Sequence, residues 1–445
     1  MKNKDSGQDI PKGTGAAPLD PLDPKLLRLM VNRVEELLPL PTVVNEILKI
    51  VNDPYASLDR LSKVILSDQA ITAKILKMIN SAFYSMPGRI STVSQAVPLL
   101  GLEKIKNLAM AISLSDGQSR WPGLPDISRK ALWIHVQATA VATQMLASKI
   151  GYPVPEEALI AGMLHDVGKA LWTEIFPERF SLALKETRQG KEPLEAEIQH
   201  LSVAHPILGA WLLRHWQMPE VLQLVIANHH DSLTAVKKSR DRTIRLTLCL
   251  ALGNILAKLF NFGNGGNFRL REFSWQLLET LEMAPEDLQE LILQFPQALH
   301  DFVTQLELRG FDSALISDHW LKLQQLLAKV DVIYLTCPGA EPSLGLIGLL
   351  CQALSKNYQI CSWDELEKIP EPSTRKRVLL METHQPEALI KNLHSRRWPK
   401  AGMILFKHIQ GGATAPFAID SLWVQPLGPE FILSEFNGAL DGKSV

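Results

Sequence analysis

Apolar residues recur at helical spacing along the chain as far as residue 328, the pattern of helices with one buried face. From Pro24 the run Leu27, Met30, Val31, Val34, Leu37 and Leu38 predicts a first helix, which Pro39 and Pro41 break. Thr42 stands where a cap would be for a helix over Val43 to Val51 that stops at Asn52-Asp53-Pro54. Ser57 opens the next helix, and Asp68 opens another carrying Ile71, Ile75, Leu76 and Ile79. A turn at Met86-Pro87-Gly88-Arg89 precedes helices from Thr92 to Leu100 and from Leu102 to Leu114. Residues 116–125 are polar and marked by Gly and Pro, and read as a linker. Helices then follow from Ala131, over 156–171, over 180–197, from His205, over Glu220 to Ala227 and over Ile244 to Phe260, with further amphipathic helices in 270–328.

From Asp331 the period changes. Val332–Leu335, Tyr358–Cys361, Arg377–Glu382, Gly402–Phe406 and Ser421–Val424 read as strands, with helical stretches at 344–354, 386–396 and 428–436. Strands alternating with helices predict a parallel, doubly wound sheet of flavodoxin type. The fold class is therefore multidomain: an all-α part, then a small α/β domain. Residues 1–24 are polar, bury little and read as a disordered tail.

At 445 residues the chain has room for two or three domains, and its 46% hydrophobic content describes an ordinary globular core. A formal net charge of −1 offers no basic field, so neither DNA nor a membrane surface is expected as a partner. The four cysteines, Cys249, Cys337, Cys351 and Cys361, stand in apolar surroundings without CxxC spacing and read as reduced, buried thiols. No apolar run has membrane-spanning length and no signal-like segment leads the chain, so a cytoplasmic protein is expected.

The chemistry concentrates in Ala161-Gly162-Met163-Leu164-His165-Asp166-Val167-Gly168-Lys169-Ala170, where an imidazole and a carboxylate interrupt an apolar run. Burying a charge without a partner is costly, so the pair needs an explanation. On one continuous helix His165 and Asp166 would lie about 100° apart and reach a common point, with Lys169 one turn on. A divalent metal would account for the pair, since imidazole nitrogen and carboxylate oxygen are ordinary ligands of Zn, Fe and Mn; a hydrogen-bonded core pair is the plainer alternative. His135 lies among large apolar residues and, taken alone, reads as a satisfied core histidine. His205 starts a helix with Pro206 in its first turn. His229 and His230 follow a helix end, where they could ligate or cap carbonyls, and His200 and His215 read as surface residues.

The segments "LPLPTVVNEILKIVNDP" and "LSKVILSDQAITAKILKMINSAFYSMPGRISTVSQAVPLLGLEKIKNLAM", with "LLRHWQMPEVLQLVIANHHD" further on, resemble the bacterial HDOD domain, a helical relative of HD-type metal phosphohydrolases. The resemblance runs from about Leu38 to about Leu259. It implies a helical HDOD domain over 25–328, divided into an N-terminal helical subdomain (25–115), an HD-like core (126–262) and a helical extension (270–328). It further implies His135 as first metal ligand, His165 and Asp166 as the next, and His205 as a ligand of a second ion where two are bound, with His229 and His230 as further candidate ligands, the metal being Fe, Mn or Zn. Lys169 matches the Lys of an HDxGK pattern that can face phosphate. Asn254 stands where a ligating Asp is expected; a neutral oxygen cannot supply the missing charge, so metal affinity should fall, even to no bound metal. The Gly-Tyr-Pro element of cyclic dinucleotide phosphodiesterases is missing after His230-Asp231.

"LWVQPLGPEFILSEF" is similar to the last strand, turn and helix of a response-regulator receiver, which assigns 330–445 as a pseudo-receiver. Gln425-Pro426 replaces the Lys-Pro pair, Met381 or Glu382 stands at the phospho-acceptor position, and Thr336-Cys337-Pro338 replaces the acidic pair. The resulting expectation is a bacterial signal-transduction regulator acting on signalling proteins through protein contacts, with a homodimer and a nucleotide ligand both left open. The alternative is a metal-dependent phosphohydrolase or phosphodiesterase of nucleotides, with Lys169 in its catalytic set.

Overall fold

The protein is described from a computed structural model. Described residues are 38–307, apart from 54, 56–57, 82, 85, 87, 119–120, 190, 231–240, 261 and 267–274, followed by residue 321 and strands between 330 and 423. The expected tail and first helix, and the helices expected at 344–354, 386–396 and 428–436, lie outside the described residues.

The first helices are α1 (Thr42–Val51), α2 (Leu58–Ser67), α3 (Gln69–Ile79), α4 (Val93–Leu100) and α5 (Leu102–Gln118). Their starts follow local chemistry. Asp68 accepts from the Ile71 backbone N–H at 3.0 Å, and Thr92 accepts from Gln95 at 3.2 Å, each satisfying a donor that the helix leaves open. Thr42 is the first residue of α1, and Pro41 is its cap. Between α3 and α4 the Asn80 amide fastens the turn, accepting from the Ile90 N–H at 2.7 Å and donating to the Ile90 carbonyl at 2.8 Å. The Tyr84 hydroxyl donates to Glu156 at 2.8 Å and ties this segment to the following helices.

Those are α6 (Arg129–Lys149), α7 (Pro155–Leu164), α8 (Val167–Ile175), α9 (Pro177–Arg188), α10 (Pro193–Leu201), α11 (His205–His215), α12 (Glu220–Asn228), α13 (Arg242–Leu259), α14 (Trp275–Leu281) and α15 (Pro285–Leu306). α6 is the axis of the core. It is buried nearly all round from Leu132 to Ala147 and packs on α7, α13 and α15. A helix without a polar face belongs inside, and each large apolar side chain so placed contributes roughly 1.5–3 kcal/mol. Close approach of α6 and α7 depends on Gly162, where a Cβ would fall 2.3 Å from Ala140 Cα.

Two expectations change in detail. The helical region at 180–197 is two helices, α9 and α10, separated around the N-terminal Pro193 of α10. The single helix expected over 156–171 is also two. α7 ends at Leu164, His165 and Asp166 form the junction, and α8 starts at Val167. Asp166 does not cap α8 with its side chain, which is turned instead to Lys169.

Beyond the helices lie β1 (Val330–Thr336), β2 (Asn357–Ser362), β3 (Lys376–Thr383), β4 (Gly402–Lys407) and β5 (Leu422–Trp423). They pair in parallel in the order β2-β1-β3-β4-β5, with Leu335 beside both Cys361 and Met381 in the register.

Candidate metal centre

The kink between α7 and α8 aims His165 and Asp166 at one interior point. α6 brings His135 there, the first turn of α8 brings Lys169, the N-terminus of α11 brings His205, and the end of α12 brings His229 and His230. None of these residues is more than 6% exposed. The rings form a chain: His135 to His165, His165 to His229 and His229 to His205 each have centroids 5.4 Å apart, and His230 lies 4.3 Å from His229 and 4.9 Å from His205. Donor atoms of His135, His165 and Asp166 lie within 4.8 Å of one another, and so do those of His205, His229 and His230.

Hydrogen bonds at the far nitrogen decide what the rings present. His165 Nδ1 lies 2.8 Å from the Gly162 carbonyl and His229 Nδ1 lies 2.7 Å from the Ile226 carbonyl. A carbonyl only accepts, so Nδ1 carries the proton in both rings. His205 Nδ1 meets the Glu197 carboxylate at 2.7 Å, and the His205 backbone N–H donates to the same carboxylate at 2.6 Å. In all three rings Nε2 is the nitrogen that faces the pocket. His165 Nε2 stands 3.3 Å and His205 Nε2 stands 3.4 Å from Asp166 oxygens. The Nε2 atoms of His135, His165, His205 and His229 are buried without a hydrogen-bond partner. This donor set fits a divalent ion.

Electrostatics point the same way. Burial, and next the neighbouring His165, push His135 well below its ordinary range. Burial likewise lowers His205 and, with His165 and His205 beside it, holds His229 well below. Neutral imidazoles are the form a metal binds. Burial pushes the Asp166 carboxyl up, but His165, Lys169 and His205 around it more than offset this and hold it well below the usual carboxylate range.

Lys169 does not look out on an open cleft. Its ammonium lies 2.9 Å and 3.0 Å from the two Asp166 oxygens and donates to the Gly265 carbonyl at 2.8 Å. Asn254 is buried on α13, its Oδ1 without a hydrogen-bond partner, one turn before Lys258, whose charge reaches His135. His200 is half-buried and bonds Glu186 at 2.9 Å, and His215 stacks on Trp211; neither joins the cluster. Cys249 is buried, and burial pushes its thiol up to about 12, the inert state expected of a core cysteine. The segment after His230, where the Gly-Tyr-Pro element is missing, lies outside the described residues.

Sequence reasoning missed Glu197 and Gly265. Glu197 lies in a stretch rich in Glu and Lys that reads as a solvated face, yet it is buried; its spacing eight residues before a helix-starting histidine was the available signal.

Residues 37–232 match the HDOD domain family. An uncharacterized protein of Treponema pallidum is 29% identical over 213 residues, 46% of this chain and 40% of that protein. The uncharacterized protein YuxH of Bacillus subtilis is 23% identical over 197 residues, 44% of this chain and 43% of its own length. The chain thus spans about two-fifths of the length of these curated relatives. Among solved structures it is similar to an HDOD domain protein of unknown function from Geobacter sulfurreducens, at 23% identity and a TM-score of 0.44 over 66% of this chain and 94% of the other. It is also similar to a candidate phosphohydrolase from Shewanella amazonensis, at 21% identity and a TM-score of 0.46 over 62% of this chain and 97% of the other.

Proposed function

We propose that this chain, which carries an HDOD domain over residues 37–232, is a signal-transduction regulator that works through protein contacts around a buried, non-hydrolytic metal centre. One observation carries the reading: Asp166, the carboxylate that faces the imidazoles, is already matched by Lys169 within 3.0 Å on both oxygens. The anion expected at position 254 is a neutral amide.

His135, His165 and Asp166 would hold one Zn, Fe or Mn ion and His205, His229 and His230 a second, with Asn254 a weak further donor. When bound, such an ion supplies Lewis acidity toward a phosphoryl oxygen. The orphaned imidazole nitrogens are what favours the second reading, a phosphohydrolase of nucleotides. The parallel order β2-β1-β3-β4-β5 supports assigning the C-terminal strands to a receiver-like sheet. Lacking an Asp at Met381 or Glu382, that sheet would serve as a docking or dimerisation surface, not as a phosphate acceptor.

The test is hydrolysis by the purified full chain, supplied in turn with Mn, Fe and Zn, of cyclic dinucleotides and nucleoside phosphates. No turnover is expected. Metal-dependent hydrolysis that disappears in His165→Ala would overturn the regulatory reading in favour of the enzymatic one.

A further inference from the structure

The sequence Phe262-Gly263-Asn264-Gly265-Gly266, which follows α13, reads as a plain loop, yet it is built into the metal centre. Phe262 is buried against Phe260 and Phe295, both ring centroids at 5.5 Å. The Asn264 N–H donates to the Ala131 carbonyl on α6 at 2.9 Å, and its side-chain oxygen accepts from the Gly266 N–H at 2.8 Å. Gly263 takes a φ of +79° and lies so close to α6 that a Cβ would meet His135 N at 2.2 Å. Gly265 is buried at the centre: a Cβ there would fall 2.7 Å from His135 Nε2 and 2.8 Å from Asp166 Oδ2, and its carbonyl takes the Lys169 ammonium. The backbone of the turn therefore stands on the side of His135 and Asp166 from which an ion or a phosphoryl oxygen would approach. It also engages the cation that such an oxygen would need.

We infer that the turn 262–266 is an internal stopper, filling with its own backbone the approach to His135 and Asp166, so that a metal ion enters only when the turn lifts and a phosphate ester is not admitted. This deepens the regulatory reading above and rests on it. The stopper accounts for a centre with the donors of a metal site but without an open face. It also gives Gly265 a physical reason: any side chain there would displace the turn.

The test uses the full chain, stripped by a chelator, with cobalt as the probe. Three variants loosen the stopper by different means. Asn264→Ala removes the bond to Gly266, Lys169→Met removes the tether on the Gly265 carbonyl, and Gly265→Ala inserts a methyl group that the closed turn cannot accommodate. Two quantities are read: amide hydrogen exchange of residues 262–266, and the rate at which cobalt's visible absorption develops. Each variant that folds should exchange the turn faster and take up cobalt faster, Lys169→Met by at least about tenfold, the factor expected from losing one hydrogen bond to a charged donor. Unchanged exchange in the variants would overturn the inference. So would faster exchange with unchanged cobalt entry, including no entry in any of them. Hydrolysis by the unaltered chain tests the regulatory reading separately, so either can fail alone.

Discussion

Glu197 acts on the centre through His205. It holds the ring and the backbone N–H of His205 at once, and so fixes which nitrogen carries the proton. Glu197→Ala strands both donors in the interior and should cost about 2–3 kcal/mol in urea unfolding, while Glu197→Gln should keep most of that stability. Asn254→Asp works in the opposite sense on affinity. Adding an anion should tighten metal binding at least about tenfold by cobalt titration, and should destabilise the metal-free protein by burying a carboxylate. Unchanged cobalt affinity would mean that position 254 does not border the ion. Acidity gives a third readout. His135, His205 and His229 have folded values below those of the unfolded chain, so their contribution is complete above about pH 6.5 and fades as the pH falls below it. Asp166, also depressed, begins to matter only below about pH 4. The urea midpoint of the metal-free protein should therefore drop between pH 7.5 and 5.5, and drop less in His229→Gln; equal slopes would remove the imidazoles from the account.

Among the elements, period and capping made most of the helices legible. Asp68 and Thr92 stand where sequence placed them, because each signal is local. The break at His165 and Asp166 was not legible, because the residues on either side are uniformly apolar and helix-forming and the kink is set by what Asp166 finds in space. The convergence of His135 and His205 was expected from the family resemblance, whereas their local sequence read as a core histidine and a helix start, and that of His229 and His230 left ligation and capping open. Gly265 was illegible for a different reason: a glycine's close approach leaves no periodic trace. Gly162 carries a prediction here. With a Cβ 2.3 Å from Ala140 Cα, Gly162→Ala must part α6 from α7 and should cost about 3 kcal/mol or more by thermal or urea unfolding. A small loss would show that the two helices can slide at little cost.

For the molecule as a whole, the helical part and the parallel strands were both legible from the change of period near Asp331. No helix among the described residues is long and apolar enough to cross a membrane. If the strands form a receiver-like unit that has lost its chemistry, acetyl phosphate should leave no acid-stable or base-labile phosphate on the chain; a stoichiometric acyl phosphate would overturn that assignment.

The cluster draws its donors from residues 135 to 230 in two groups, so an ion in each would tie together helices that are distant along the chain. In effect they would be removable cross-links, doing for these helices what a disulfide does where oxidation is allowed. Calorimetry on loaded and chelated protein should then differ in shape as well as in midpoint: one cooperative peak with the ions in place, and a broader or divided one after the staples are withdrawn.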